Sequence, residues 1–200
     1  MTETKPLDGI GVIRQEHRNL AKVLKFLEAE AQRYQTTGAA PDFGLLDSVF
    51  AYVDGFLNTQ HHPKENLYLF AELRLRRPDI AGTLDLLERQ HRDGALVLAR
   101  ARAAAKSLMD TDDRAAFRQA VARYCQFEFD HMRLEEDTVI PAAEESLTAA
   151  DKAVMDRAFT DNHHDPLFGA GRSAEFERLF EFVRARCATG GVGNEEGEEP

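Results

Sequence analysis

The chain has no tryptophan, two cysteines and no long uninterrupted apolar run. Cys125 and Cys187 are far apart and neither sits in a CxxC pair, so neither a disulfide scaffold nor a thiolate zinc site is indicated. The opening MTETKPLDGI lacks the apolar stretch of a signal peptide, and nothing approaches the roughly 20 apolar residues of a membrane span. The expectation is a soluble, cytoplasmic protein with no membrane partner. Positive charge is also in short supply, with 25 Lys and Arg against 35 Asp and Glu, a net charge of −10. Neutralising phosphate needs clustered cations, so no nucleic-acid partner is expected either. The one dense basic patch, Arg74, Arg76 and Arg77, reads as a solvated helix end favoured by the helix dipole.

What is present suits one helical domain with a small appendage: 200 residues, 43% hydrophobic, with 13 Phe to fill a core. Four long segments carry apolar residues at helical spacing, and no strand-like alternation competes with them. The first covers about Leu7 to Tyr34, with an inward stripe through Ile13, His17, Leu20, Leu24, Leu27 and Ala31. The second runs from Asp42 to Arg76 through Leu46, Phe50, Val53, Leu57, His61, Glu65 and Tyr68, interrupted by Pro63. The third, Pro78 to Met109, has Leu84, Leu87, His91, Ala95 and Leu98. The fourth, Asp112 to Ala143, has Phe117, Val121, Tyr124, His131, Glu135 and Thr138.

Short breaks between long helices make neighbours antiparallel, so the expected fold is an all-α, up-down-up-down four-helix bundle over residues 7–147. Two short amphipathic segments follow, forming a helical extension over 148–187 packed on the bundle. Between them His163 and His164 read as an exposed turn pair. The Gly- and Glu-rich stretch 188–200 has nothing to bury and is expected to be a disordered acidic tail.

Each long segment places a histidine on its apolar stripe, and two of them place a glutamate one turn later: His61-x-x-x-Glu65 and His131-x-x-x-Glu135. At that spacing an imidazole and a carboxylate share a face and reach one ion. Burying two carboxylates in an apolar core costs several kcal/mol per ion unless a charge compensates, and no Lys or Arg lies on the inward stripes beside them. A bound cation supplies that compensation. Imidazole and carboxylate without thiolate suit iron, manganese or zinc. Six ligands exceed one tetrahedral zinc and fit two metals, with Glu65 and Glu135 as bridges. His62 stands about 100° from His61 on a regular helix. Pro63 permits a kink that would swing it inward, so ligand and surface readings both stand.

The pattern His17, then His61 with Glu65, then His91, then His131 with Glu135 resembles the hemerythrin-like family of HHE cation-binding domains, in particular its bacterial members. The stretches HHPKENLYLFAELR, LLERQHRDGA, HMRLEEDTVIPAAEESLT and DPLFG share in the likeness, which covers about residues 10–170. The resemblance implies two Fe ions, oxo- or hydroxo-bridged, that bind or react with O2, peroxide or nitric oxide. The oxygen-carrying hemerythrins have two histidines one turn apart on the third helix, and an aspartate five residues after the fourth-helix histidine. Here Leu87 and Ala95 flank His91, and the carboxylate is Glu135. With His62 the set returns to five histidines and two carboxylates. Sensing, peroxide removal or iron handling therefore gain on reversible carriage, with a catalase-like or NO-reductase-like enzyme, iron storage or a structural metal site as alternatives.

A ferritin-like reading uses Glu88-x-x-His91 and Glu128-x-x-His131 with Glu16 or Glu65. It requires a long crossover between the second and third helices, where the sequence has only Arg77-Pro78, and it leaves His17 and His61 without a role. Glu88 and Glu128 are expected instead to orient His91 and His131, and Tyr68 and Tyr124 to approach the site or simply fill the core.

Overall fold

The computed structural model describes residues 8–160, 165–169 and 172–189, and among them there is no strand. Helix α1 is Gly9–Thr37. It begins where the Asp8 carboxylate accepts from the Gly11 amide at 2.8 Å, and it ends at Gly38, whose φ of 69° only glycine adopts at no steric cost. Helix α2 spans 43–76 and helix α4 spans 114–146; both are regular except for wide turns described below. Helix α3 is Ala81–Thr111, entered through the single 3-10 turn Pro78–Ile80. Asp42 and Asp113 cap the starts of α2 and α4 by accepting from Leu45 and Ala116 amides.

The four helices close into a ring in which α1 packs on α2 and α4, and α3 packs on the same two. One end of the core holds Ile10, Ile13, Leu69, Phe70, Leu73, Leu84, Leu87, Val139 and Ile140. That pairs the starts of α1 and α3 with the ends of α2 and α4, which is the up-down-up-down arrangement. The larger opposite half contains Leu20, Leu24, Phe50, Phe56, Leu98, Phe117 and Tyr124. Between the two apolar halves lies a polar layer made by the four histidine-bearing stripes.

Three stripe positions differ from expectation. Tyr68 is 36% exposed and Thr138 half-buried, while Leu69, Phe70 and Val139 fill the core. Wide i→i+5 turns at Glu65–Phe70 and Glu135–Val139 take in an extra residue and move the inward phase forward by one. On the regular α3, the inward residue after His91 is Gly94 at the three-residue step, and Ala95 is exposed.

Helix α5, Ala149–Thr160, lies along α1 and the second wide turn of α2, burying Met155 and Phe159. At their crossing the Gly9 amide donates to Asp156 at 2.8 Å, and a Cβ on Gly9 would stand 3.3 Å from the Asp156 backbone. Helix α6, Glu177–Thr189, packs on α1 and α2. The turn before it is pinned by Asp165, buried to 1% exposure, which accepts from the Leu167 and Phe168 amides and from the Asn19 side chain on α1. His163, His164 and the acidic stretch 190–200 lie outside the described residues. No described helix is long and apolar enough to cross a membrane. Arg74, Arg76 and Arg77 face carboxylates: Asp85 and Glu88, Asp151, and Asp79 with Glu145.

Candidate metal centre

His17, His61, His62, Glu65, His91, His131 and Glu135 all enter the polar layer, and none is more than 8% exposed. Glu65 Oε1 lies 3.3 Å from His61 Nε2 and 3.8 Å from His17 Nε2, while its Oε2 lies 3.5 Å from His91 Nε2. Glu135 mirrors it from the opposite helix, with Oε2 3.3 Å from His17 Nε2 and Oε1 3.4 Å from His131 Nε2. Each carboxylate thus divides its two oxygens between two groups of histidines. His17, His61, Glu65 and Glu135 form one group, and His62, Glu65, His91 and His131 the other; within each, the ligand atoms lie within 4.8 Å of one another.

These approaches are not hydrogen bonds: all four carboxylate oxygens and His17 Nε2 are buried without a hydrogen-bond partner. Among the described residues no Lys or Arg forms an ion pair with either glutamate. Buried acceptors of this kind call for positive charge close to their oxygens, supplied by protonated imidazole or by a bound cation. The His91 and His131 Nε2 atoms stand 3.1 Å apart. With both rings donating through Nδ1, two lone pairs face each other, and a cation or a shared proton accounts for the approach. The donor set therefore fits a metal pair on geometric grounds.

Proline explains how α2 delivers two adjacent histidines to one layer. Pro63 has no N–H for the fourth residue back, and its ring crowds that carbonyl. The helix answers with the wide turn Leu57–His61, closed by the His62 amide on the Leu57 carbonyl. More residues per turn means a smaller angle between neighbours, so both rings point inward, with centroids 5.5 Å apart. His62 stacks on His91 at 4.1 Å and meets His131 edge-on. The same device recurs on α4, where Ile140 closes the wide turn Glu135–Val139 immediately before Pro141.

The groups that orient the rings are not the ones the sequence pattern suggested. His61 Nδ1 donates to Glu16 at 2.7 Å, His91 Nδ1 to Asn66 at 2.9 Å, His131 Nδ1 to Gln90 at 3.1 Å, and His17 Nδ1 to Glu136 at 2.8 Å. Glu16, Asn66, Gln90 and Glu136 each adjoin, in sequence, an inward residue of their own helix, and each holds the histidine of the next helix around the ring. Adjacent residues diverge by about 100°, so the neighbour of an inward residue faces the adjoining helix. His62 Nδ1 has no such partner. Glu88 does not reach His91: it is tied to Arg74 at 2.8 Å. Glu128 is buried but does not orient His131. Its neighbour Tyr124 is buried too, and neither the Tyr124 hydroxyl nor Glu128 Oε2 makes a well-formed hydrogen bond.

The electrostatics follow the same division. Burial opposes charging of His17, but Glu135, Glu136 and Glu65 outweigh it and raise its pKa well above 6.5. His61 is also raised, with Glu65 and Glu16 overcoming burial. Burial and neighbouring rings push His62 well below 6.5, and burial lowers His131. Burial would raise Glu135, yet His131, His17 and His91 hold it well below the usual carboxylate range. At Glu128 burial outweighs the lowering influence of Tyr124, His61 and His17 and lifts the carboxyl to about 7.

Compared with known families, the chain matches the hemerythrin HHE cation-binding domain over residues 8–143. The chain belongs to this family. No curated protein and no solved structure matches it significantly. The matched span covers the whole histidine and glutamate layer, so cation binding is the family property and the layer is where this HHE domain brings together residues able to hold a metal. The ferritin-like alternative has no support in the connectivity, because only Arg77 and one 3-10 turn separate α2 from α3.

Proposed function

We propose that this HHE domain holds two metal ions, preferentially iron, and binds or senses a small ligand there: O2, peroxide or nitric oxide. One observation carries the reading. Two buried carboxylates without hydrogen-bond donors each divide their oxygens between two histidine groups. His17 and His61 would hold one ion, His62, His91 and His131 the other, and Glu65 and Glu135 would bridge them. Manganese or zinc would satisfy the same donors. Iron would supply one-electron redox chemistry and a coordination position for the small ligand. The chain's part is to keep the site dry, with Ile13, Leu87 and Val139 on one side and Leu20, Leu57 and Leu98 on the other, and to fix ring orientation through the cross-helix hydrogen bonds.

A peroxide- or NO-consuming enzyme is the second reading, favoured by the unsatisfied Glu128 and Tyr124 pair. A carboxyl titrating at about 7 in a buried position can take or give a proton near the centre.

Metal analysis with an optical spectrum of the freshly purified protein, before and after air and peroxide, tests both. Two irons per chain and a spectrum that changes on exposure are expected, and catalytic oxygen release would favour the enzyme. Zinc alone, or no metal, would overturn the di-iron reading. Glu135→Ala and His131→Ala should each lower the metal content, and parental content in both would refute the ligand assignment.

A further inference from the structure

The ring of cross-helix hydrogen bonds treats the two halves of the centre unequally. Both rings of the His17 and His61 half donate to carboxylates, Glu136 and Glu16, at 2.8 and 2.7 Å. Both bonded rings of the other half donate to neutral amides, Asn66 and Gln90, at the longer 2.9 and 3.1 Å. Glu65 and Glu135 are shared, so they contribute equally to both halves. Behind the rings, the difference in fixed charge lies in the two backing carboxylates, each one imidazole away from the ion its histidine would hold. A carboxylate behind an imidazole makes the ring a stronger donor and stabilises positive charge on the far nitrogen.

Counter-charges reduce this difference without removing it. Arg14 lies 3.5 Å from Glu136, but it is shared with Glu144 and is 36% exposed, so solvent screens it. Lys64 feels the charge of Glu16 and offsets part of it. Donor type points the same way. The His17 half has two imidazoles, whereas the other half has three, and a larger share of neutral nitrogen suits the less charged ion.

Resting on the paired-metal reading above, we infer that the centre is charge-asymmetric: the His17 and His61 subsite selects the more highly charged ion, and the His62, His91 and His131 subsite the less charged one. Glu16 and Glu136 are the positioning residues that set this order. In an iron pair of mixed oxidation state, the ferric ion belongs on the His17 side.

The test uses redox-inert ions, so it does not depend on which metal the protein naturally carries. The full chain, stripped of metal, is reloaded with one equivalent each of Ga(III) and Zn(II), crystallised, and measured by anomalous diffraction at both absorption edges. Gallium is expected on the His17 side by about tenfold or more, the effect typical of losing a partner behind a metal ligand. The isosteric pair Glu16→Gln and Glu136→Gln should bring the distribution close to even. Asn66→Asp with Gln90→Glu should do the same from the other side, which keeps the test open if the first pair folds poorly. Gallium on the three-histidine side, or an unchanged preference in Glu16→Gln/Glu136→Gln, would overturn the inference. Uptake of one ion in total would overturn the paired site itself. Iron analysis of the protein as purified decides the di-iron reading separately.

Discussion

His17 and His61 show how the centre's charge governs its exchange with protons. Their neighbouring carboxylates raise both pKa values above 6.5, His17 well above it, so protons compete with a cation for these nitrogens at a higher pH than for a free imidazole. His62 and His131, both lowered, are already uncharged at neutral pH. Apparent metal affinity should therefore fall on acidification starting above pH 6.5, by up to about tenfold per pH unit for each displaced proton. Competition against a chromogenic chelator between pH 6 and 9 measures it, and a flat profile above 6.5 would contradict it. The fold of the metal-free protein responds with the opposite sense. A histidine whose folded pKa is raised stabilises the fold fully below its unfolded value of 6.5, and the contribution disappears as pH rises through the folded value.

At the scale of the helix, the deciding feature is proline placed just after a wide turn. Pro63 and Pro141 each follow the residue that closes an i→i+5 turn, and each turn changes which side chains face inward. Replacing Pro63 with Ala restores the missing N–H, so the turn should relax toward a regular helix and carry His62 out of the layer. Metal content is then expected to drop from two toward one per chain while the thermal stability of the metal-free form holds or rises, since interior proline costs a helix about 3 kcal/mol. Metal analysis alongside a thermal melt reads both quantities. Retention of two ions by Pro63→Ala would show that something other than the proline holds His62 inward.

For the molecule as a whole, one buried carboxylate ties the second part of the extension to the bundle core. Asp165 joins the turn before α6 to Asn19, two residues beyond His17 on α1, and its second oxygen accepts two backbone amides. In Asp165→Ala those donors stay buried without acceptors, an expected loss of about 1–3 kcal/mol in denaturant unfolding. If 148–187 folds as one unit with the bundle, the single transition shifts as a whole. An unmoved bundle transition with a separate early phase would mark the extension as independent.

Helix number, antiparallel order, the inward stripe of α1 and six residues of the polar layer, His17, His61, Glu65, His91, His131 and Glu135, could be read in the sequence. Each follows from periodicity: apolar residues every three or four positions place histidine and glutamate on one face, whatever the neighbouring helices do. Periodicity failed where the period itself changed. A regular 3.6-residue count places Tyr68 and Thr138 in the core, whereas the wide turns put Leu69, Phe70 and Val139 there. The sequence showed Pro63 as an interruption but left the side facing of His62 open, because a missing N–H can be absorbed by a kink or by a wide turn. The partners behind the rings were hidden for a different reason. Glu16, Asn66, Gln90 and Glu136 each serve a histidine on another helix, so no spacing along one chain segment connects donor to acceptor. Only the closed ring of four helices pairs them, and with that pairing comes the division of the centre into a carboxylate-backed and an amide-backed half.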